Sequence, residues 1–229
     1  MNGNVHNDGA AKPVAYILLG PPGSGKSTQA DLFGREFGAV HVDMGAALRA
    51  AAGEATPFGE ALSEIINTRR ELVPDGIVRA ILENELRRIG PSRPVVIDGA
   101  PRRESQIPSV MSAIVGSGRE LRKAILIDLS EEDAVERISR RYSCGVCGRK
   151  LILGADLPTR GSACPSCGSP VSQRADDTEE GVRKRYRIFR DETMPVIDDF
   201  EKNGILLRVP GDRSAEEIFG MIASAVRRK

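Results

Sequence analysis

Short apolar runs recur along the chain, at residues 14–19, 40–42, 95–97, 124–129 and 205–209, each with the length of a buried strand. Between them the apolar positions shift to a helical period. Ile77, Val78, Ile81, Leu82, Leu86 and Ile89 form the clearest such face, opened by Pro74 and Asp75 and closed by Gly90 and Pro91. Ser130 with Asp133, and Ser214 with Glu217, have the spacing of capping boxes and predict helices running to about Tyr142 and Arg227. Strands that are apolar throughout and alternate with helices predict an α/β fold, a five-stranded parallel sheet covered on both faces. Ligands of such sheets sit beyond the carboxyl ends of the strands.

Two segments depart from this alternation. Residues 43–72 read as all-helical, with Asp43, Thr56 and Pro57 as start signals, and residues 143–174 are Gly-rich, weakly periodic and hold every cysteine. Both are expected to be insertions on the ligand side of a core formed by residues 13–42, 73–142 and 175–229. Residues 1–12 are polar and Gly/Asn-rich, without the apolar centre of a signal peptide, and read as a disordered tail.

The first apolar run leads into Leu-Gly-Pro-Pro-Gly-Ser-Gly-Lys-Ser-Thr-Gln, in which Gly20, Gly25, Lys26 and Ser27 fit the G-x-x-x-x-G-K-[ST] phosphate loop. Glycines let backbone N–H groups turn onto an anion, and the following helix points its positive end to the same place. A polyphosphate is therefore expected against Gly20, Gly23, Ser24, Gly25, Lys26, Ser27 and Thr28. Lys26 would reach the β- and γ-phosphates, and Ser27 would serve a magnesium ion. Asp98, ending the run at 95–97, falls beside this loop as a magnesium-shell carboxylate; its competing reading is a helix cap or loop aspartate.

Charge narrows the partners. Lys plus Arg number 33 against 32 Asp plus Glu, and this balance argues against a duplex-binding protein, which needs a basic surplus. No apolar run approaches the ~20 residues of a membrane span. A cytoplasmic, monomeric protein with nucleotide partners, and neither nucleic acid nor membrane, is the expectation.

Cys144 and Cys147 are separated by sixteen residues from Cys164 and Cys167, the C-x2-C spacing of a structural zinc site. Four thiolates leave no open coordination position, so such a metal would hold the insertion together and do no chemistry. The rivals are a pair of disulfides and a nucleic-acid-binding zinc ribbon. Ten arginines lie between Arg137 and Arg190. Arg137 and Arg141, four apart, would share a helix face and repel unless something anionic lay between them. Guanidinium groups suit the charge spread over a transferring phosphoryl group. The only histidines are His6 and His41, so no Ser/His/Asp or Cys/His constellation is available. An acceptor that is itself a phosphate needs no general base.

At this point the chain resembles the adenylate kinase family, in its long-lid, zinc-bearing branch, over nearly everything from Ala15 to Ala225. Residues 20–29 resemble the family's G-x-P-G-x-G-K-x-T-Q, Leu48-Arg49 the end of the acceptor motif, and Leu72-Val73-Pro74-Asp75 its exit. Asp98-Gly99-Ala100-Pro101-Arg102 resembles D-G-F-P-R, with Gln106 at the family's adenine-reading glutamine, and Gln173-Arg174-Ala175-Asp176-Asp177 the motif closing the lid.

The resemblance implies transfer of a phosphoryl group from ATP to AMP with Mg2+ and a structural Zn2+. Arg49 and Arg102 would hold the acceptor phosphate, Gln106 would read its base, and Arg137 would lie over the donor adenine. Lys26, Arg102, Arg141, Arg174 and Arg185 would act on the transferring group. Asp176 and Asp177 would help close the lid, although Asp177 also suits a helix cap. Gly99 and Gly211 complete the implied nucleotide-binding set. The departures are Asp43-Met44-Gly45-Ala46 for S-T-G-D, Arg70 for a glycine, Ala100 for the aromatic of D-G-F-P-R, and Leu151 for the lid's usual tyrosine. Three lie on the acceptor side, which keeps two alternatives open: a kinase for another nucleoside monophosphate, or a catalytically weak nucleotide sensor.

Overall fold

The computed structural model describes residues 12–69 and 71–227; Arg70 and all but the last residue of the expected tail lie outside them. The chain begins with β1 (Val14–Leu19), α1 (Lys26–Phe37) and β2 (Val40–Asp43). The first insertion follows as α2 (Met44–Ala52), α3 (Pro57–Ser63) and a π-helical turn, Glu64–Arg69. Then come α4 (Asp75–Ile89), β3 (Val95–Asp98), a 3-10 turn at Glu104–Gln106, α5 (Ile107–Gly116), β4 (Glu120–Asp128) and α6 (Glu131–Ser139). The cysteine segment holds β5 (Arg141–Cys144), β6 (Lys150–Ile152) and β7 (Val171–Ser172). The chain continues with α7 (Glu179–Ile188), a second π turn at Phe189–Thr193, α8 (Met194–Lys202), β8 (Leu206–Pro210) and α9 (Ala215–Arg227).

The main sheet is five-stranded and parallel, in the order β2-β3-β1-β4-β8. Side chains alternate across a strand, so β1 sends Ala15, Ile17 and Leu19 to one face and Tyr16 and Leu18 to the other. The first face packs on residues from α2, α4, α5 and α8, among them Met44, Leu82, Ile114 and Phe200. The second packs on α1 and α9 through Phe33, Ile218 and Ile222. A chain apolar on both faces of its strands can only be stable when both are covered, as the sequence pattern predicts.

Two boundaries differ from the sequence expectation. β4 begins at Glu120 rather than at 124, because its polar first residues pair at the amino edge of the sheet, where alternation is not enforced by burial. The helix from Glu131 stops at Ser139 rather than near Tyr142. Arg141–Cys144 instead forms the centre of a three-stranded antiparallel sheet, ordered β6-β5-β7. Pairing on both sides overrides the local helical signal. The expected shared helix face of Arg137 and Arg141 is thereby corrected, since the first ends α6 and the second begins β5.

Caps read from the sequence are otherwise present. Asp43 accepts the Ala46 N–H at 2.8 Å, Thr56 the Gly59 N–H at 3.0 Å, and Ser214 exchanges hydrogen bonds with Glu217. Among the described residues no helix is long and apolar enough to cross a membrane.

Phe33 anchors the second face, fully buried, with ring centroids 5.0 Å from Tyr16, 5.4 Å from Phe37 and 5.7 Å from Phe219. Phe33→Ala should lower unfolding free energy by about 3–5 kcal/mol. Denaturant unfolding checks this, and a change within error would mean the aromatic cluster is not a core element.

Candidate nucleotide site and cysteine cluster

The crevice lies where β1 stands between β3 and β4, so that one crossover runs to each side of it. Gly20 turns the chain there at φ 148°, and a Cβ on it would stand 2.6 Å from both the Ile127 carbonyl oxygen and Ser24 Oγ. Only glycine fits so close an approach. Gly25 caps α1 with no side-chain hydrogen bond, which leaves the first amides of the helix free to meet an anion. Lys26 Nζ lies across the mouth of the loop, donating to the Gly20 and Pro21 carbonyls at 2.8 and 2.9 Å. Burial, with the nearby cations Arg102 and Arg141, pushes its ammonium down to about 8 against the opposing pull of Asp98 and Asp43.

Asp98 caps no helix among the described residues; it accepts the Ser27 hydroxyl at 3.2 Å. Burial alone would raise its carboxyl, but His41, Lys26 and Arg102 together hold it below the usual carboxylate range. His41 Nε2, at 3.7 Å, stands beyond hydrogen-bonding distance from it. This neighbour is absent from the sequence reading, and parallel pairing of β2 with β3 supplies it. A hydroxyl and an ionised carboxylate side by side at a phosphate loop fit a hydrated magnesium ion. Gly211 closes the crevice beside β4, its N–H donating to the Asp128 carbonyl at 2.6 Å.

On the α2 side of the crevice, Arg49 projects with its guanidinium against Gly45. Gly99, at φ 94°, leaves room for Arg102, whose Nη2 would be 3.3 Å from a Cβ there and whose Nε donates to the Gly99 carbonyl at 3.1 Å. Met44 and Ala100 are both fully buried in the core beneath these arginines. At Met44 and Ala100 the departures from the family pattern therefore fill the core. Gln106 is buried, its Oε1 accepting the Arg102 N–H and its Nε2 donating to Asp75. Arg103 is taken up by Glu192 at 3.2 Å.

Two adjacent carboxylates gather the remaining arginines. Asp177, whose side chain is 1% exposed, accepts from Arg141 at 2.7 to 3.1 Å and from Arg185 at 3.0 Å. Asp176 accepts from Arg174 at 2.9 Å and from Arg185 at 3.1 Å. The helix-cap alternative for Asp177 falls to Thr178, which accepts the Gly181 N–H at 3.1 Å. Burial would raise the Asp176 carboxyl, and Arg174 and Arg185 bring it below the ordinary range. Arg137, half-buried on the last turn of α6, makes no ion pair among the described residues. Arg183 faces Glu179 and Glu131 and belongs to none of this.

The four cysteines are free thiols whose sulfurs all lie within 4.8 Å of one another. Sγ–Sγ separations of 3.4 Å (Cys144 to Cys167) and 3.6 Å (Cys147 to Cys164) approach the ~3.8 Å edge that a zinc–sulfur bond of about 2.3 Å sets. Each pair turns in a tight knuckle, with Gly148 N–H on the Cys144 carbonyl and Gly168 N–H on the Cys164 carbonyl. The donor set fits one tetrahedral structural zinc rather than disulfides. Leu151, fully buried, packs with Leu157 beneath it, so the departure from tyrosine there serves the small core of this sheet.

A phosphate loop at the switch point of a parallel sheet, with arginines gathered over it, defines a P-loop nucleotide-binding protein. A family model described as adenylate kinase matches residues 18–205. The chain is 38% identical over 202 residues to an adenylate kinase of Kosmotoga olearia, covering 88% of this chain and 94% of that protein. It is 36% identical over 205 residues to an adenylate kinase of Petrotoga mobilis, covering 90% and 94%. It is 35% identical over 215 residues to one of Clostridium botulinum, covering 94% and 99%. The chain belongs to the adenylate kinase family.

The lowered Lys26 ammonium sets the sign of a pH effect. Below about 8 the group is charged and its attraction for polyphosphate is complete; above that value the free protein loses the charge and binds ATP more weakly. Calorimetric titration from neutral to alkaline pH checks this, and an affinity flat through about pH 8 would contradict it. Stripping the cysteine-bound metal with a chelator should lower the melting temperature and increase hydrogen exchange in residues 143–174. Identical melting and exchange before and after metal removal would count against a structural ion.

Proposed function

We propose that the chain transfers the γ-phosphoryl group of ATP to AMP, giving two ADP. The observation that carries this is the gathering of Arg141, Arg174 and Arg185, from separate parts of the chain, on Asp176 and Asp177 within reach of the charges of Lys26, Arg49 and Arg102. Cations held in advance around a phosphoryl group stabilise its transfer without reorganising during the reaction.

The family relationship and this geometry support the following roles. The loop amides and Lys26 hold the donor phosphates, and Arg137 covers the donor base. Arg49 and Arg102 hold the acceptor phosphate, which is already anionic and attacks without a general base. Arg141, Arg174 and Arg185 act on the transferring group. Ser27 and Asp98 would hold magnesium, which would supply positive charge to offset that of the phosphates. Residues 43–72 and 143–174 are assigned as the two segments that close over the substrates and exclude water. The near-balanced charge supports a nucleotide partner rather than nucleic acid, and a monomeric cytoplasmic protein completes the reading.

A coupled ADP-formation assay across AMP, GMP, CMP and UMP should show turnover with AMP preferred. ATP binding with no turnover on any monophosphate would instead make the chain a sensor. Lys26→Met should cut kcat by about 10^2- to 10^3-fold while leaving the circular dichroism spectrum unchanged. Retained activity would remove the phosphate loop from the mechanism.

A further inference from the structure

Gln106 is 2% exposed, and both ends of its amide are already engaged. Its Oε1 takes the Arg102 backbone N–H at 2.7 Å, and its Nε2 gives a hydrogen bond to Asp75 Oδ1 at 2.9 Å. The partners force the orientation. A peptide N–H can only donate, and an ionised carboxylate can only accept, so a turned amide would meet a donor with a donor and an acceptor with an acceptor. Asp75 is itself fixed, because Ser105 Oγ donates to its other oxygen at 2.6 Å. Arg102 is held at both ends of its residue, since Thr193 Oγ1 donates to its carbonyl at 3.0 Å. The frame around Gln106 is closed by side chains from α4, the 3-10 turn and the second π turn.

One N–H and one lone pair of the amide remain uncommitted. Adenine offers a donor at position 6 and an acceptor at position 1; hypoxanthine and guanine offer the reverse. An amide free to turn would serve either pattern, whereas a fixed one serves a single pattern. We infer that Asp75 and Ser105 are positioning residues that lock the Gln106 amide and so set which purine monophosphate the acceptor site takes. This rests on the reading of Gln106 as the residue that meets the acceptor base.

The test compares kcat/KM for AMP and IMP, which differ in the 6,1 pattern and lack the extra amino group of GMP. The wild-type protein should prefer AMP. Asp75→Asn, which can donate as well as accept and so leaves the Arg102 N–H alone to oppose a turned amide, should reduce the AMP-over-IMP ratio by about tenfold, and Ser105→Ala by about threefold. Ser105→Thr, which keeps the hydroxyl, should restore the ratio. The changes should fall on KM for the monophosphate and leave KM for ATP unmoved. Selectivity within twofold of wild type in both Asp75→Asn and Ser105→Ala would overturn the inference. If Asp75→Asn fails to fold, the exposed Ser105 decides alone, an unchanged ratio in Ser105→Ala again being the overturning result. A wild-type protein that ignores AMP would defeat the functional reading itself, a result seen before any variant is compared.

Discussion

Like charges brought together must be held together. Two guanidinium groups about 4 Å apart repel by roughly 4 kcal/mol at the effective dielectric near a protein surface. Arg141, Arg174 and Arg185 nonetheless share one side of a crevice, because two neighbouring carboxylates are inserted among them. Asp177 is the more committed of the two, its side chain almost wholly removed from water between Arg141 and Arg185. Such a charge is tolerable only because both partners bond to it directly. Asp43 and Asp98, side by side at the ends of β2 and β3, offset the charges of Lys26, Arg49 and Arg102 at longer range, without direct ion pairs among the described residues. The cations still outnumber these four carboxylates, and the surplus is what a polyphosphate meets.

The scaffold explains how residues so far apart in sequence converge. Parallel strands deliver Asp43, Asp98 and the phosphate loop to one end of the sheet. The lid sheet delivers Arg141. This residue opens the four-residue strand that ends in Cys144, so the cysteine cluster and the arginine share one short rigid element. The sulfurs gather at the end of β5 that is paired with β6 and β7, and Arg141, at its other end, reaches Asp177. A structural zinc held there would therefore act on the same element that carries Arg141.

Much of this was legible in the chain because the signals are local. The phosphate loop, the all-apolar strands, the helix from Asp75 and the spacing of Cys144, Cys147, Cys164 and Cys167 each carry their own reason within a few residues. What escaped depends on contacts between distant segments. Arg141 sits in a strand only because Lys150–Ile152 and Val171–Ser172 flank it. That Met44 and Ala100, where the sequence departs from the family motifs, lie in the core depends on packing between distant segments. Thr178 took the cap that Asp177 seemed suited to, which released Asp177 for its arginines. The frame around Gln106 joins Asp75, Ser105 and Thr193 across long separations, and no periodicity announces it.

In the proposed function the gathered cations are aimed at a polyphosphate resting on the first strand-to-helix loop. The most direct measurement is a crystal structure with a dinucleotide that spans donor and acceptor positions through a chain of phosphates. The proposed function requires phosphate oxygens on the loop amides, with Lys26, Arg102, Arg141, Arg174 and Arg185 all in contact with the phosphate chain. Phosphates seated elsewhere, or those guanidinium groups turned to solvent around an empty loop, would contradict it.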